Sequence, residues 1–408
     1  MATRRSFLIG ASGVAVLVPA LLRKGFAADA LRLDPKLPEG ARSAAALEAL
    51  PGKVPLIKLT YRPPNYETPL SYFNDLLTPN DAFFVRYHLS DIPEVDAGLW
   101  RLAVGGDAAS RSFDLTLESL KRDFEAVEVV AVCQCSGNRR GLFQPHVPGV
   151  EWGYGAMGNA RWKGARLRDI LDRAGLAKET VEIAFEGADG PPVDKTPDFV
   201  KSIPVWKALD PDTLVAYEMN GQPLPHFNGA PARIVVPGWT ATYWMKHVTR
   251  IEARTKPEEN FWMKSAYRLP VGKFPLVQRF LSQETAVNTP ITEMVVNSVI
   301  VAPAAGDTVA LGQPLTVKGV AWDGGYGISL VEVSTDDGQT WSRATLGPDA
   351  GRYSFRQWTF PLRTERRSEI AVMARATNAV GQTQTSTLIQ NPSGYHHNLT
   401  HRVSITAT

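Results

Sequence analysis

The C-terminal part of the chain is a series of short alternating strands, and this pattern restricts its fold more than any other feature of the sequence. Apolar and other residues alternate with a period of two in Leu315–Val320 and in Leu330–Ser334, and the turn Asp336–Gly338 follows the second run. Glu369–Ala376 is a further strand with turn residues after it. Short strands separated by such turns are typical of a β-sandwich of about 100 residues. We therefore predict an all-β, immunoglobulin-like sandwich over residues 291–408.

The block before it, residues 81–290, mixes helix and strand patterns and is predicted to be an α+β domain. Apolar residues at helical spacing in Leu117–Phe124 and Leu167–Ala174 predict two amphipathic helices. Between them, the β-branched run Val127–Val132 predicts a buried strand. The preceding segment, residues 31–80, is rich in proline and is predicted to be irregular.

The composition excludes several classes of protein. Of the 408 residues, 44% are hydrophobic and 21% are charged, which is ordinary for a globular protein and excludes wholesale disorder or a multi-span membrane protein. Two cysteines are too few for a disulfide scaffold. The sequence contains no Cys-x-x-Cys-His motif, flavin fingerprint or iron–sulfur cysteine run, so we expect no haem in this chain.

The net charge of +3 is concentrated at the start of the chain. Arg4, Arg5, Arg23 and Lys24 face the single acid Asp29 within the first 30 residues. The remainder is close to neutral and has no basic tract, so we expect no nucleic-acid partner.

The first 30 residues have the three parts of an export signal. A twin-arginine pattern, Thr3–Leu8, is followed by an apolar stretch, Leu8–Leu22, and by the small-x-small cleavage candidate Ala28–Ala30. A membrane-spanning helix is disfavoured because spanning needs about 20 apolar residues, and this run is shorter and contains Pro19. We therefore expect residues 1–30 to be a twin-arginine signal peptide, the protein to be periplasmic, and no membrane span to remain after the signal is removed.

The strongest chemical signal is the segment Val130–Arg140, in which an apolar strand runs into a loop with thiols and guanidinium groups. Neighbouring arginines lower the pKa of a thiol and favour the thiolate, which binds soft metals. Arginines also bind oxyanions through forked hydrogen bonds. Together these groups indicate redox chemistry on a small anion.

Simpler interpretations of Cys133 and Cys135 remain open. A free cysteine is most often a buried core residue. Two cysteines with scattered histidines lack the spacing of a zinc site. We expect no disulfide between the two thiols, and we expect only one of them to face the site.

Seven further segments carry a family resemblance because of their order: Phe83–His88, Cys135–Arg140, Phe185–Asp189, Tyr217–Gly221, Val235–Gly238, Trp322–Gly325 and Asp336–Trp341. In this order they resemble the molybdenum domain and the following β-domain of the sulfite oxidase family over residues 55–408. With the leader and without a haem motif, the chain is similar in particular to the molybdenum subunits of bacterial periplasmic sulfite:cytochrome c oxidoreductases (sulfite dehydrogenases).

The resemblance implies a molybdenum–pyranopterin cofactor (Mo-molybdopterin) with Cys135 as the thiolate ligand of the metal. It implies catalytic positions around the anion at Arg86, Arg140, Trp152 and Tyr267. It implies that the pterin and its phosphate are held by Arg86, Tyr87, His88, Asp189, Asn228, Arg233, Trp244, Met245 and Lys246. Taken singly, each of these residues could be a surface charge, a core aromatic residue or a turn.

Three positions depart from the family pattern. At the phosphate site the family commonly has histidine, whereas this chain has Asn228 with His226 two residues earlier, and the sequence does not decide between them. Many relatives present an arginine to the anion after the Trp-x-Gly-Gly motif, where this chain has Gly325–Ile328. We therefore expect one cation fewer at the anion site. Cys133 has no role that the resemblance assigns.

The implied reaction is the oxidation of sulfite to sulfate, with electrons passed singly to a separate c-type cytochrome, either a bound subunit or a diffusing acceptor. One alternative is a molybdenum-dependent sulfoxide reductase of the same superfamily, whose members lack the C-terminal β-domain. Others are an exported β-sandwich binding protein without a cofactor and direct delivery of electrons to oxygen. The aromatic and histidine-containing tail, Asn391–Thr408, is expected to dock onto another part of the protein.

Overall fold

The computed structural model describes residues 47–408, so the predicted signal at residues 1–30 lies outside the described residues. Within residues 47–408, the first part of the fold contains four α-helices: α1 (Leu117–Asp123), α2 (Leu167–Ala174), α3 (Val205–Ala208) and α4 (Phe261–Lys264). Single 3-10 turns lie at Leu70–Asn74, Arg140–Leu142, His226–Asn228, Ala241–Tyr243 and Leu281–Gln283. Its strands are β1 (Leu47–Glu48), β2 (Leu56–Thr60), β3 (Asn65–Glu67), β4 (Val85–Arg86), β5 (Leu102–Gly105), β6 (Phe113–Leu115), β7 (Ala126–Gln134), β8 (Met157–Arg166), β9 (Glu182–Gly187), β10 (Val200–Pro204), β11 (Leu214–Met219), β12 (Gln222–Pro223), β13 (Arg233–Val235), β14 (Val248–Arg254), β15 (Arg268–Pro270) and β16 (Asn288–Pro290).

These strands form three main sheets, of which the two five-stranded sheets share one apolar core and the first sheet packs around a smaller cluster with Leu56, Tyr66 and Val85. The strand orders are β1-β2-β3-β4, β10-β9-β14-β5-β6 and β12-β11-β8-β7, with β13 paired to β11 and with β15 and β16 forming a separate pair. The sheet that matters most for function contains the long antiparallel pair β7–β8, whose register runs from Ala126 opposite Ala165 to Gln134 opposite Met157. The loop that holds Cys135 begins directly after this strand, β7.

The predicted helices and strand of this region are confirmed, with local reasons visible for each. In α1, the Thr116 side chain accepts the backbone N–H of Ser119, while the Ser119 hydroxyl accepts that of Thr116, which satisfies two free donors at the helix start. Helix α2 buries its apolar stripe and ends at Gly175, whose φ of 69° suits a glycine C-cap. Strand β7 covers the predicted β-branched run, but its burial is confirmed only for Ala131 and Val132, because Val127, Val129 and Val130 are half-buried.

The C-terminal part is a sandwich of two sheets, which confirms the predicted all-β fold. Its strands are β17 (Asn297–Ala302), β18 (Thr308–Val309), β19 (Pro314–Trp322), β20 (Ile328–Ser334), β21 (Ser342–Arg343), β22 (Thr345–Leu346), β23 (Arg356–Arg363), β24 (Ser368–Asn378) and β25 (His401–Ala407). One sheet has the order β17-β19-β23-β22 and the other β18-β25-β24-β20-β21. Val317, Val331 and Trp358 are among the residues buried between them. Burial of each such side chain stabilises the fold by on the order of 2 kcal/mol.

The two parts are joined by a buried arginine and a tryptophan. The Arg139 guanidinium is fully buried and donates to the backbone oxygens of Ser298 at 2.6 Å and Leu399 at 3.2 Å. Trp322 of β19 donates its indole N–H to Oε1 of Gln134, at the end of β7, at 2.6 Å. Gln134 directly precedes Cys135 and Arg139 follows it in the same loop, so the sandwich contacts the loop that carries the candidate metal ligand.

One prediction about the first segment is wrong for the part of it that the structure describes. Residues 47–67, expected to be irregular, contain β1, β2 and β3. These strands are short, and β3 pairs with β4 far along the chain, so their stability comes from partners that the local Pro-rich composition does not reveal. In the described part of the chain, no helix is long and apolar enough to cross a membrane.

Candidate active site

A cavity of about 650 Å³ opens where strand ends and loops of the first part converge. Every predicted cofactor, metal or catalytic residue except Arg140 and Trp152 lines it: Arg86, Tyr87, His88, Cys135, Asp189, Asn228, Arg233, Trp244, Met245, Lys246 and Tyr267. Further lining comes from Phe83, Phe84, Cys133, Ser136, Phe199, Phe227, Ala241 and Thr242. The fold thus brings together residues that are far apart in sequence, from Phe83 to Tyr267.

Both thiols line this cavity, so the expectation that only one faces the site is wrong. Cys133 is the penultimate residue of β7, and Cys135 follows the strand. Residues two apart on a strand lie on the same face, and the intervening Gln134 points to the other side, towards Trp322. Both cysteines are free.

The two thiols differ in their surroundings. Cys133 is almost completely buried, and burial raises its pKa to about 11 although Arg233 opposes the rise. It is therefore held as a neutral thiol at physiological pH. Cys135 is the more accessible of the two, and its backbone N–H is fixed by the oxygen of Ala156 at 2.9 Å. This accessibility favours Cys135 as a metal ligand.

Arg233 is a buried cation whose hydrogen-bonding capacity is incompletely used. Its two terminal nitrogens donate to the backbone oxygens of Asn228 and Trp244, each at 3.0 Å, and its Nε has no hydrogen-bond partner. No ion pair with a carboxylate is found for it among residues 47–408. A buried charge of this kind is costly unless an anion approaches it.

Lys246 and Asp189 are opposite charges on the same wall. Burial, with Arg233 nearby, lowers the pKa of Lys246 well below its usual range. Burial raises the pKa of Asp189, which the charge of Lys246 counteracts. Arg86 adds a further cation to the lining. The cavity therefore carries more positive than negative groups and suits an anionic ligand.

His88 and Tyr267 form a hydrogen-bonded pair in the cavity, between the His88 Nε2 and the Tyr267 hydroxyl. The His88 ring stacks on Phe199, with centroids 3.7 Å apart. Burial and then Arg86 lower the pKa of His88 well below its usual range, so the imidazole is neutral at physiological pH. Burial raises the pKa of Tyr267, which keeps its hydroxyl protonated as a hydrogen-bond donor or acceptor.

Asn228, and not His226, reaches the cavity. The Asn228 amide nitrogen donates to the oxygen of Phe84 at 3.3 Å, and its Oδ1 accepts the ammonium of Lys53 at 2.6 Å. His226 is half-buried against the rings of Phe227 and His247 and does not line the cavity. Of the two residues left open by the sequence, the structure therefore places Asn228 at the site.

Arg140 and Trp152 lie just behind the lining. The Arg140 Nη1 donates to the oxygen of Val150 at 3.2 Å, and its charge acts on Tyr267. Trp152 is completely buried and meets the lining residue Phe84 edge-on at 6.5 Å. The structure therefore places Trp152 as support for the wall of the cavity.

The sandwich approaches the site through its tail and not through the loop that follows Trp322–Asp323. Gly325–Ile328 does not line the cavity; Tyr326 instead donates to Oε2 of Glu293 at 2.6 Å. Ser393, in the tail, accepts a hydrogen bond from the Arg140 Nε at 2.9 Å. The expectation that the tail docks onto another part of the protein is thus confirmed.

Sequence patterns missed three residues of this region. Phe199 follows a loop without periodicity, Lys53 lies in the segment predicted to be irregular, and Tyr395 belongs to the other part of the fold. Their positions relative to the cavity depend on contacts across more than 100 residues, such as Lys53 to Asn228. No local signal in the sequence could have identified them.

The donor set fits a molybdenum–pyranopterin. Cys135 offers one soft ligand in the cavity, and the remaining ligands of the metal would come from the bound group itself. The unpartnered Nε of Arg233 and the ammonium of Lys246 suit the phosphate of such a group.

Comparison with known proteins agrees with this fit. Residues 88–262 match the family model of the oxidoreductase molybdopterin binding domain, and residues 288–408 match that of the Mo-co oxidoreductase dimerisation domain. The fold is similar to the crystal structure of the sulfane dehydrogenase SoxCD from Paracoccus pantotrophus, with a TM-score of 0.71 over 90% of each chain and 24% sequence identity.

Curated relatives are similar over most of the chain. Mitochondrial sulfite oxidase from Homo sapiens is 35% identical over 87% of this chain and 66% of its own length, and sulfite oxidase from Gallus gallus is 35% identical over 78% and 70%. Nitrate reductase [NAD(P)H] from Hordeum vulgare is 31% identical over 86% of this chain and 42% of its own length. The chain thus spans about two thirds of the length of these sulfite oxidases. From the two domain matches and these identities, the chain belongs to the sulfite oxidase family of molybdopterin-binding oxidoreductases.

Proposed function

We propose that this protein oxidises sulfite to sulfate at a molybdenum–pyranopterin bound in the cavity and passes the two electrons singly to a c-type cytochrome. The observation that carries the proposal is the position of Cys135, the more accessible of the two thiols, directly after β7 in a cavity that also holds Arg86, Arg233 and Lys246. A soft metal ligand and an excess of cations in one cavity suit redox chemistry on a small anion.

The cofactor end of the cavity is the end with the buried cations. Arg233 and Lys246 would bind the phosphate, with Asn228 donating beside them and Asp189 and His88 available to the pterin. Cys135 would bind the metal. When bound, the molybdenum–pyranopterin supplies the oxygen atom and takes up the two electrons of the oxidation.

The substrate end is the end with Arg86 and Tyr267. Sulfite is an oxyanion, and Arg86 would bind it through forked hydrogen bonds, while Arg140 adds positive charge from behind the wall. Tyr267 would hydrogen-bond to an oxygen of the anion, with its hydroxyl oriented by the neutral His88. Guanidinium groups do not titrate near neutral pH, and burial lowers the pKa of His88 and raises that of Tyr267. The pH dependence of turnover near neutrality would therefore arise from sulfite.

Location and electron acceptor belong to the same proposal. The twin-arginine pattern Arg4-Arg5 supports export to the periplasm. Because no haem, flavin or iron–sulfur motif occurs in the sequence, the electrons would leave to a partner, and a c-type cytochrome is a one-electron acceptor of that compartment.

The test is the steady-state reduction of cytochrome c by sulfite with purified holoprotein of known molybdenum content. We expect sulfite-dependent reduction and one sulfate formed per two cytochromes reduced. No reduction at full molybdenum occupancy would overturn the proposal. A second assay measures nitrate reduction by the same protein with a reduced dye, because the nitrate reductase from Hordeum vulgare is also similar to this chain. If nitrate were reduced faster than sulfite is oxidised, nitrate would be assigned as the substrate instead of sulfite.

A further inference from the structure

Three consecutive residues of the sandwich tail, Ser393, Gly394 and Tyr395, form a cradle around the Arg140 side chain. Ser393 accepts the Nε hydrogen bond at 2.9 Å, and the Arg140 guanidinium lies over the Tyr395 ring, 5.2 Å from its centroid. Gly394 has a φ of 60°, and a Cβ at this position would lie 2.7 Å from Cγ of Arg140. Only glycine therefore allows the arginine to approach so closely.

The same tyrosine also contacts the residue that lines the cavity. The rings of Tyr395 and Tyr267 stack with centroids 5.6 Å apart and planes only 6° from parallel. Tyr395 is 7% exposed, so both contacts are shielded from water, where a cation over an aromatic face is attracted more strongly.

Tyr395 is itself held rigidly by its own segment. The Asn391 side chain accepts the backbone N–H of Tyr395 at 3.0 Å and donates to its backbone oxygen at 2.8 Å. Asn391 is also buried. The ring is therefore a fixed surface and not a mobile lid.

We propose that Tyr395, supplied by the sandwich, is a positioning residue that holds Arg140 and Tyr267 in the geometry needed to bind the substrate anion. This inference rests on the proposed function, and it deepens it by giving the second domain a part in anion recognition. The ring contacts both the long, flexible side chain of Arg140 and the ring of Tyr267, and so restrains both. Oxyanion recognition requires charged groups to be preorganised, so loosening both should weaken anion binding more than it slows the chemical step.

The experiment compares Tyr395→Phe with Tyr395→Met in holoprotein of equal molybdenum content. Phe retains the aromatic face, whereas Met fills the space without it. We expect Tyr395→Met to raise the KM for sulfite about tenfold, in the range that a buried cation–π contact and a ring stack imply, with kcat within a factor of two. Tyr395→Phe should restore the wild-type KM to within a factor of two.

Sulfate binding by calorimetry provides a readout that does not depend on turnover, and its Kd should rise in parallel. If the wild-type protein binds sulfate but does not oxidise sulfite, the proposed function fails while the sulfate Kd of the variants still tests Tyr395. Tyr326→Phe is the matched control, since this tyrosine lies in the sandwich but bonds to Glu293.

Gly394→Ala is a second variant, to be used if Tyr395→Met does not fold. It should raise the KM for sulfite because the added Cβ displaces the Arg140 side chain. An unchanged KM and sulfate Kd in whichever of Tyr395→Met and Gly394→Ala folds would overturn the proposal. So would a Tyr395→Phe protein as impaired as Tyr395→Met.

Discussion

The ammonium of Lys53 donates a 2.6 Å hydrogen bond to Oδ1 of Asn228, joining residues 175 positions apart. Its other two hydrogen bonds go to the backbone oxygens of Asn80 at 2.7 Å and Phe83 at 3.0 Å. Burial lowers the pKa of Lys53 to about 7, and an anion nearby would favour its charged form. Lys53 thus places a cation behind the asparagine that stands where the family commonly has histidine.

We expect Lys53→Met to weaken retention of the cofactor. Loss of a charged hydrogen bond costs about 1.5–3 kcal/mol, so the holoprotein should lose molybdenum and pterin at least tenfold faster during dialysis. Molybdenum per chain, measured over time, is the readout. Lys58→Met is the matched control, because Lys58 pairs with Glu48 at 2.6 Å on the surface. Equal retention in both variants would contradict a role for Lys53.

The two cysteines form a natural pair of test and control, because they lie two residues apart on the same face of the chain. Cys135→Ser should abolish turnover, and X-ray absorption should show one sulfur ligand fewer at the metal. Cys133→Ser should keep both the sulfur count and the turnover within a factor of two, because Cys133 lies deeper than Cys135 and burial raises the pKa of its thiol to about 11, which disfavours the thiolate that a metal binds. The reverse result would assign the metal to Cys133.

Arg86 is a lining guanidinium that donates a long 3.3 Å hydrogen bond to Oδ1 of Asn65 and also bonds to the Tyr267 hydroxyl. These two contacts leave further donors of the guanidinium for the substrate. We expect Arg86→Met to raise the KM for sulfite at least tenfold, and Arg86→Lys to be intermediate because a lysine keeps the charge but not the fork. Arg101→Met, at an exposed position, is the control. A KM within a factor of two of the wild-type value would remove Arg86 from the anion site.

Glu67 is a completely buried carboxyl group that accepts the backbone N–H of Gly153 at 2.7 Å. Burial raises its pKa to about 7 from 4.5, so between these values the folded protein binds more protons than the unfolded chain. Glu67 therefore makes its full contribution to the free energy of unfolding below pH 4.5. That contribution declines as the pH rises to about 7.

We expect Glu67→Gln to remove this decline, since a glutamine does not titrate. Urea unfolding at several pH values between 4 and 8 measures the slope of stability against pH. The variant should show a flatter profile than the wild-type protein across this interval. Two parallel profiles would mean that Glu67 does not titrate in that range.

The sequence by itself determined the helices, strands and turns whose signals lie within short segments of the chain. The amphipathic stripe of α2 and its Gly175 cap, the β-branched run of β7, and the turn-punctuated strands of the sandwich all follow from local periodicity. The thiols and guanidinium groups of Cys133–Arg140 lie within one short segment, and each family motif is also a short segment that can be recognised by itself. For this reason most residues of the cavity lining could be predicted.

Tertiary structure alone decided which side chains stand behind those residues. Tyr395 reaches Tyr267 from another domain, Lys53 reaches Asn228 from a segment that looked irregular, and Trp152 supports the wall through Phe84. Such contacts depend on how whole sheets pack, and packing is set by the summed burial of many distant side chains. A pattern with a period of two or 3.6 residues carries no information about partners more than 100 positions away.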